Sequence, residues 1–136
     1  MPRGRHCHGH GVSEKACTCG MGNLYRFAEP IVLLSIARLN EAYGYSIAQE
    51  SEKLAVTHSG LDTAVVYRTL RHLESAGRIV SSWDTSGEGP ARRVYRLTES
   101  GWHHITEWSG VIGDLVCSLA SLKKVCDDLS KKHGRC

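Results

Sequence analysis

The sequence contains no long hydrophobic run. No stretch of its 136 residues approaches the roughly 20 consecutive apolar residues that a transmembrane helix needs. Its first residues, MPRGRHCHGHG, include no apolar segment of the kind found in a secretory signal peptide. The sequence therefore predicts a cytoplasmic protein that does not have a membrane as a partner.

The motifs of the common catalytic sites are also missing. We find no phosphate-binding glycine loop, no nucleophile elbow and no zinc-protease helix, so we predict that the protein is not an enzyme. The sequence also lacks a large excess of positive or negative charge, because 17 Lys and Arg against 14 Asp and Glu give a net charge of only +3. This charge permits a nucleic acid as a partner without requiring one.

The length and composition are those of a globular protein. A chain of 136 residues can form one domain with a core and an additional long helix, but not two ordinary domains. A hydrophobic content of 41% and a charged content of 23% exclude a disordered chain. Six cysteines in an intracellular chain of this size indicate reduced thiols or metal ligands rather than a disulfide framework.

The first 23 residues differ from the rest, because they contain five glycines and hardly any large apolar side chain and cannot form a core. Their three histidines and three cysteines are the ligand types that zinc or another transition metal selects. The spacing of Cys7, Cys17 and Cys19 matches neither a zinc ribbon nor a haem attachment site, and an iron–sulfur cluster would need a fourth thiolate. Two interpretations stay open: a metal or redox site built on these three cysteines, and a flexible arm without a ligand.

The segment from Asp62 to Gly77, DTAVVYRTLRHLESAG, predicts an amphipathic helix with Asp62 as its N-cap. Val66, Leu70 and Leu73 recur at the helical spacing and form one apolar stripe. The remaining face offers small side chains near the start of the helix, then a phenol and two guanidinium groups, in Thr63, Ala64, Tyr67, Arg68 and Arg71. This chemistry suits a helix that enters a groove of DNA. The alternative is a surface helix with solvated arginines.

Two shorter helices are predicted before this one. The first begins at residue 28 or 29, because Pro30 is tolerated in the first turn of a helix. Ala42 to Tyr45 is predicted as a turn. Ser46 and Gln49 then match the S-x-x-Q capping pattern, which predicts a second helix from Ile47 to Leu54. Three helices with a short turn before the last one follow the helix-turn-helix order.

Two β-prone runs follow the third helix. RIVSSWD, residues 78–84, and ARRVYRLT, residues 91–98, are separated by the turn sequence TSGEGP and should pair as a hairpin. Arg92 and Arg93 come directly after the turn. They present cations where a hairpin of this kind, called a wing, would reach a phosphate backbone or the minor groove.

The hairpin also contains two aromatic residues, Trp83 and Tyr95. Because aromatic side chains bury a large area, we predict that both cover the core beneath the hairpin rather than bind a ligand.

The last predicted element is a long helix from Glu99 to about Lys131, capped by Thr98. Its apolar residues follow a strict heptad, with Ile105, Ile112, Leu119 and Cys126 at one position and Trp108, Leu115, Leu122 and Leu129 at the other. A helix of about 33 residues would be about 50 Å long, too long for this small domain to cover. We predict that it pairs with the same helix of a second copy. Such a homodimer would set two recognition helices roughly 34 Å apart.

These residues resemble the PadR-type winged-helix transcriptional regulators. The resemblance runs from about Phe27 to Gly101 and is carried by YGYSIAQE, VVYRTLRHLESAGRIVSSWD and GPARRVYRLTESG, in this order and spacing. It implies a dimeric bacterial regulator, usually a repressor, that binds an inverted repeat in double-stranded DNA and releases it when an effector binds. By motif, Tyr67 and its helical neighbours would face the DNA, and Arg92 and Arg93 would lie in the wing.

We therefore predict a mainly α (α+β) fold, a winged helix-turn-helix with a two-stranded β wing and a long C-terminal dimerisation helix. The divisions are a Cys/His/Gly-rich arm (residues 1–23), a DNA-binding domain (24–98), and the dimerisation helix with its tail (99–136). The predicted function is a sequence-specific repressor controlled by an effector that the sequence does not identify. Two alternatives stay open: a metal- or redox-sensing regulator that uses Cys7, Cys17 and Cys19, and a winged-helix interaction module without a specific DNA site.

Overall fold

The computed structural model describes residues 25–57 and 60–134. The helices and strands in these residues are, in order, α1 (Ala28–Arg38), β1 (Ala42–Tyr43), α2 (Gly44–Lys53), α3 (Thr63–Ser75), β2 (Ile79–Asp84), β3 (Arg92–Leu97) and α4 (Glu99–His133). One turn of 3-10 helix, Tyr25–Phe27, leads into α1. None of the helices in this part of the chain combines the length and the apolar character that a membrane crossing requires.

Helices α1, α2 and α3 enclose a single apolar core that the sheet closes on one side. The stripe predicted on α3 is confirmed, because Val66, Leu70 and Leu73 are completely buried. Burial of each such side chain contributes about 1.5–3 kcal/mol to stability. The other fully or almost fully buried apolar residues are Val32, Leu33, Ile47 and Ile79.

The predicted hairpin is confirmed, and a third strand joins it. Strands β2 and β3 pair antiparallel from Ile79 opposite Leu97 to Asp84 opposite Arg92. The turn predicted at Ala42 to Tyr45 was wrong, because Ala42 and Tyr43 form β1 and pair antiparallel with the other edge of β3. The sheet order is β1-β3-β2. Strand β1 ties the chain between α1 and α2 to the middle of β3.

Helix α2 begins earlier than predicted, at Gly44 instead of Ile47. The capping pair assigned to Ser46 and Gln49 was therefore wrong. The Ser46 hydroxyl lies inside the first turn, where it accepts a hydrogen bond from the Tyr43 backbone N–H at 3.0 Å. Gln49 donates to the Tyr45 hydroxyl at 3.0 Å. The pairing of β1 holds the backbone extended as far as Tyr43, so the helix starts at the next residue.

The end of α3 directs the chain into the wing. Gly77 has a positive φ of 77°, which a residue with a side chain rarely adopts. The Gly77 N–H donates to the Glu74 carbonyl at 3.0 Å, and the Arg78 N–H donates to the Leu73 carbonyl at 2.9 Å. This pair of bonds is the Schellman motif, and it confirms Gly77 as the residue that ends the helix.

The two aromatic residues predicted to cover the core have different environments. Tyr95 is only 7% exposed, which confirms the prediction, whereas Trp83 is 66% exposed, so the prediction for Trp83 was wrong. The pairs Ser81–Tyr95 and Trp83–Arg93 lie on the same face of the hairpin. The Trp83–Arg93 pair lies two pairs nearer to the hairpin tip, where the Trp83 side chain is no longer covered by the core.

Helix α4 follows β3 along the chain, and its first residues pack against the turn that joins α3 to β2. The predicted cap is confirmed, since the Thr98 hydroxyl accepts a hydrogen bond from the Gly101 N–H at 3.1 Å. The same hydroxyl oxygen lies 2.7 Å from the carbonyl oxygen of Gly77. Gly101 is buried against the backbone carbonyl of Arg78, where a Cβ atom would not fit. These contacts fix the base of α4 to the end of α3 and the start of β2.

Only the first turns of α4 pack on the domain. The rings of Phe27 and Trp108 are 6.3 Å apart, and Ile105 packs against the core. Past Ile112 every residue of the helix is exposed. The helix ends at His133, two residues later than predicted.

Candidate nucleic-acid interface

The side chains predicted to face DNA lie on the solvent side of α3. The exposed residues are Thr63, Ala64, Tyr67, Arg68 and Arg71. Asp62 occupies the predicted N-cap position, but its side chain makes no capping hydrogen bond. Its backbone carbonyl accepts from the Val66 N–H at 3.1 Å. The start of α3 therefore keeps its backbone N–H groups available to a ligand, next to the small side chains of Thr63 and Ala64.

An open groove of ≈ 540 Å³ separates α3 from the wing. It is lined by Tyr43, Gly44, Tyr45, Ser46, Tyr67, Arg92, Arg93 and Tyr95. Gly44 allows the Tyr67 ring to lie beside the start of α2, because a Cβ atom at this position would lie 2.7 Å from Cε1 of Tyr67 and 2.9 Å from its hydroxyl oxygen. The groove thus brings together the start of α2, the exposed face of α3 and the first residues of β3.

Arg92 is held at the groove by Tyr43. Its guanidinium carbon lies 5.5 Å from the centroid of the Tyr43 ring, a distance suited to a cation–π contact. The Tyr43 hydroxyl donates to Asp84 at 2.7 Å and also lies 3.1 Å from a carboxylate oxygen of Glu41. Asp84 pairs with Arg92 across the hairpin. Tyr43 therefore connects the start of α2 to the outer part of the wing.

These hydrogen bonds move the pKa values of Tyr43 and Asp84 further from neutral pH. The bond to Asp84 is the main reason that the pKa of Tyr43 rises to about 12. Hydrogen bonds from the Ser86 hydroxyl and backbone N–H, followed by the one from Tyr43, lower the pKa of Asp84 to about 2. At neutral pH the phenol is therefore protonated and the carboxylate is charged, so the donor and acceptor roles are fixed.

The second arginine of the wing, Arg93, points to α3. Its Nη2 atom lies 3.0 and 3.1 Å from the two carboxylate oxygens of Glu74, and its Nε donates to the Ser81 hydroxyl at 2.8 Å. The sequence predicted the same role for Arg92 and Arg93, and no motif in it singled out Glu74. No local pattern identifies Glu74, since its partner is 19 residues away along the chain.

The structure divides the predicted dimerisation residues into two groups. Ile105, Trp108 and Ile112 are half-buried where the base of α4 meets α1. The remaining members are exposed: Leu115, Leu119, Leu122, Cys126 and Leu129. The exposed leucines range from 37% to 60% accessible, so no other element in the described chain covers them.

Cys7, Cys17 and Cys19 lie outside the described residues, and the metal hypothesis stays a prediction. Within residues 25–57 and 60–134, no three or more His, Cys, Asp or Glu side chains are arranged to hold a metal ion.

The three-helix core, the wing and the groove between α3 and β3 define a winged helix-turn-helix protein. The family described as "Transcriptional regulator PadR-like family" matches residues 32–107, more than half of the chain. The protein therefore belongs to the PadR-like family of transcriptional regulators, and the family resemblance noted in the sequence is confirmed.

Solved structures of PadR-family regulators have the same fold. A PadR-like transcriptional regulator from Bacillus cereus is 22% identical, with a TM-score of 0.61, and the alignment covers 73% of this chain and 93% of that one. A PadR family transcriptional regulator from Eggerthella lenta is 27% identical, with a TM-score of 0.57 and coverage of 73% and 84%. One from Clostridium difficile is 21% identical, with a TM-score of 0.55 and coverage of 68% and 98%. No curated protein matches the chain significantly.

Proposed function

We propose that this protein is a homodimeric transcriptional repressor that binds an inverted repeat in double-stranded DNA and leaves it when an effector binds. The observation that carries the proposal is the groove between α3 and the wing, with the exposed face of α3 on one side and Arg92 on the other. Membership of a family of transcriptional regulators supports the same function.

In this proposal α3 enters the major groove. A B-DNA major groove is wide enough for one α-helix, and arginine recognises guanine through two hydrogen bonds. Arg71 and Arg68 are exposed and form no ion pair within the described residues, so both guanidinium groups can donate to DNA. Thr63 and Ala64 allow the first turn of the helix to approach the duplex closely, as in other helix-turn-helix proteins.

Arg92 supplies the contact of the wing with the DNA backbone. It is exposed, it lines the groove, and Tyr43 holds its guanidinium near the start of α2. The first backbone N–H groups of a helix attract anions, so the start of α2 and Arg92 together favour a phosphate. Such contacts orient the protein on the duplex but do not read the sequence.

The exposed apolar seam of α4 supports a dimer. Leu119, Leu122 and Leu129 are each about 60% accessible in the single chain. Covering leucines of this kind contributes about 1.5–3 kcal/mol per fully buried side chain. A second copy supplies an identical seam, and a two-fold axis between the copies matches an inverted repeat.

The test starts from genomic DNA fragments that the protein retains, from which the bound site is identified. Arg71→Ala should weaken binding to this site by ~1–3 kcal/mol and relax its specificity at one base pair. Arg96→Ala, an exposed arginine on the same strand as Arg92 but outside the groove, is the matched control and should bind normally. Equal affinity for the selected site and a scrambled duplex would contradict sequence-specific binding. Retention of no DNA would favour an interaction module.

Repression and release require a functional assay. Transcription in vitro from a promoter that contains the selected site should fall as the protein is added. Stimulation of transcription instead would make the protein an activator and contradict the repressor proposal. Effector candidates are then screened for their ability to restore transcription.

A further inference from the structure

Glu74 closes a hydrogen-bonded network that joins α3 to both strands of the wing. Its two carboxylate oxygens lie 3.0 and 3.1 Å from Nη2 of Arg93 on β3. Ser81 on β2 donates its hydroxyl proton to Glu74 at 2.5 Å and accepts a hydrogen bond from Nε of Arg93 at 2.8 Å. Three side chains from three elements therefore form one closed ring of contacts.

Aromatic rings further restrict the Arg93 guanidinium. Its central carbon lies 6.0 Å from the centroid of Trp83 and 5.8 Å from that of Tyr95. Both distances are within the range of cation–π attraction. An exposed ion pair alone contributes little to stability, but a planar guanidinium held by a carboxylate, a hydroxyl and two rings has a defined position. The network thus fixes geometry more than it adds stability.

The neighbouring arginine, Arg92, is not bonded to a carboxylate in this way. Arg92 forms no ion pair within the described residues, and Tyr43 is its one ring partner there. A phosphate that approaches the wing meets at Arg92 a cation that Asp84, opposite it across the hairpin, attracts without a direct ion pair. At Arg93 it meets a cation whose charge a carboxylate 3.0 Å away already offsets. The two arginines therefore differ in what they can offer to DNA.

We propose that Glu74 and Arg93 are positioning residues that set the angle of the wing against α3, and that Arg92 alone makes the phosphate contact at this place. This proposal rests on the proposed function and specifies how its DNA-binding surface is assembled. With the network closed, α3 and Arg92 reach one duplex at the same time. With the network open, the wing still exists but samples other angles, so binding requires its ordering.

The decisive comparison is Glu74→Gln against Glu88→Gln. Each substitution removes one negative charge from the DNA-binding region, and Glu88 is an exposed residue in the wing turn. Electrostatics alone would make both variants bind DNA more tightly, because less negative charge faces the phosphates. The proposal predicts opposite signs: Glu88→Gln binds equally well or slightly better, and Glu74→Gln binds about tenfold more weakly. Tighter binding by Glu74→Gln would overturn the proposal.

Salt titrations separate positioning from direct contact. Arg92→Gln should reduce the slope of log K against log salt concentration by about 0.9, the value for one lost phosphate contact. Arg93→Gln should weaken binding about as much as Glu74→Gln while leaving this slope unchanged. A lower slope for Arg93→Gln would make Arg93 a phosphate contact and overturn its assignment.

Double variants test whether the two residues act together. Glu74→Gln/Arg93→Gln should bind no more weakly than either single variant, because the first substitution already opens the network. The exchange Glu74→Arg/Arg93→Glu restores an ion pair and should recover part of the lost affinity. Strictly additive losses with no recovery would overturn the coupling.

A readout without DNA makes the result independent of the proposed function. Amide hydrogen exchange in β2 and β3 should be faster in Glu74→Gln than in the wild type or Glu88→Gln, while the exchange of α1 stays the same. If the wild-type protein binds no DNA but this difference in exchange is seen, the proposed function is contradicted and the positioning role of Glu74 is supported. The other outcome is that the wild type and Arg71→Ala bind DNA as proposed, while Glu74→Gln has the hydrogen exchange and the DNA affinity of the wild type. In that case only the positioning role of Glu74 and Arg93 is contradicted.

Discussion

Gly44 shows how much one missing methyl group can matter at the candidate site. The residue is the first of α2, and the Tyr67 ring occupies the space that a side chain would need. A Cβ atom there would meet the far end of the Tyr67 side chain at 2.7–2.9 Å, so the tyrosine would rotate away rather than the backbone move.

Gly44→Ala should therefore leave the domain folded, with a change in unfolding free energy below about 1 kcal/mol, and weaken DNA binding through the displaced Tyr67. Thermal unfolding and DNA titration measure the two effects. Tyr67→Phe is the companion variant, since it keeps the ring and removes only the hydroxyl. Normal DNA binding by Gly44→Ala would show that the position of Tyr67 is not important.

Asp84 predicts a pH dependence of stability. Its pKa is lowered from 3.8 to about 2 in the folded protein, so its stabilising contribution is present above pH 3.8 and is lost as the pH falls toward 2. Asp84→Asn should flatten the decline of the unfolding midpoint in this interval, measured by urea unfolding at several pH values. Tyr43→Phe should keep most of the decline, because the hydrogen bonds from Ser86 are the larger cause of the shift. An unchanged acid profile in Asp84→Asn would contradict the prediction.

Tyr43 determines the pH above which the hydrogen bonds of the same cluster are lost. Its pKa is raised from 10.0 to about 12, so the stability that depends on the protonated phenol is complete below pH 10 and is lost as the pH rises through 12. The cluster therefore keeps one arrangement over the whole physiological range. It fixes the wing but does not sense pH.

At the scale of the elements, Gly101 determines how closely α4 approaches the domain. It is the third residue of α4 and is buried against the Arg78 carbonyl and the Leu97 side chain. Gly101→Ala should destabilise the protein by about 2–3 kcal/mol, because the obstacle includes rigid backbone. Gly110→Ala in the same helix is the control, because no other element of the described chain lies within 4 Å of its added Cβ. It should stabilise the helix by about 0.5–1 kcal/mol. Urea unfolding gives both values, and equal effects would contradict the tight packing at Gly101.

The elements that the sequence predicted correctly are those with a repeated local signal. The spacing of Val66, Leu70 and Leu73 defined α3 and its buried face, and Gly77 defined its end. Strand β1 was missed because two residues are too few for an alternating pattern, and its partner, β3, is more than 50 residues away. The position of Ser46 followed from that pairing, so the capping pattern alone gave the wrong start for α2.

For the candidate site as well, some features could be predicted from local sequence signals and others could not. The exposed face of α3 follows from helical periodicity, and the position of Arg92 follows from the hairpin turn. The contacts that hold these groups do not follow from local sequence, since Tyr43 and Asp84 are 41 residues apart and Glu74 and Arg93 are 19 apart. Polar pairs of this kind depend on the packing of the finished fold.

For the whole molecule, the exposed seam of α4 predicts the oligomeric state. Leu122→Glu places a charge in the seam and should convert the dimer to a monomer in analytical ultracentrifugation. Its affinity for an inverted repeat should also fall strongly, because the two half-sites would no longer be bound together. Ala120→Glu, at a heptad position outside the seam, is the control and should remain dimeric. A dimer in both variants would place the interface elsewhere.

The close contacts at the base of α4 make the helix act as a lever arm. At 1.5 Å per residue, its 35 residues extend about 52 Å from the fulcrum formed by Thr98 and Gly101. A tilt of about 5° at that fulcrum displaces the far end by about 4.5 Å, and the reverse also holds. If two copies pair through α4 as proposed, a small change in how the two helices cross would change the separation of the two α3 helices.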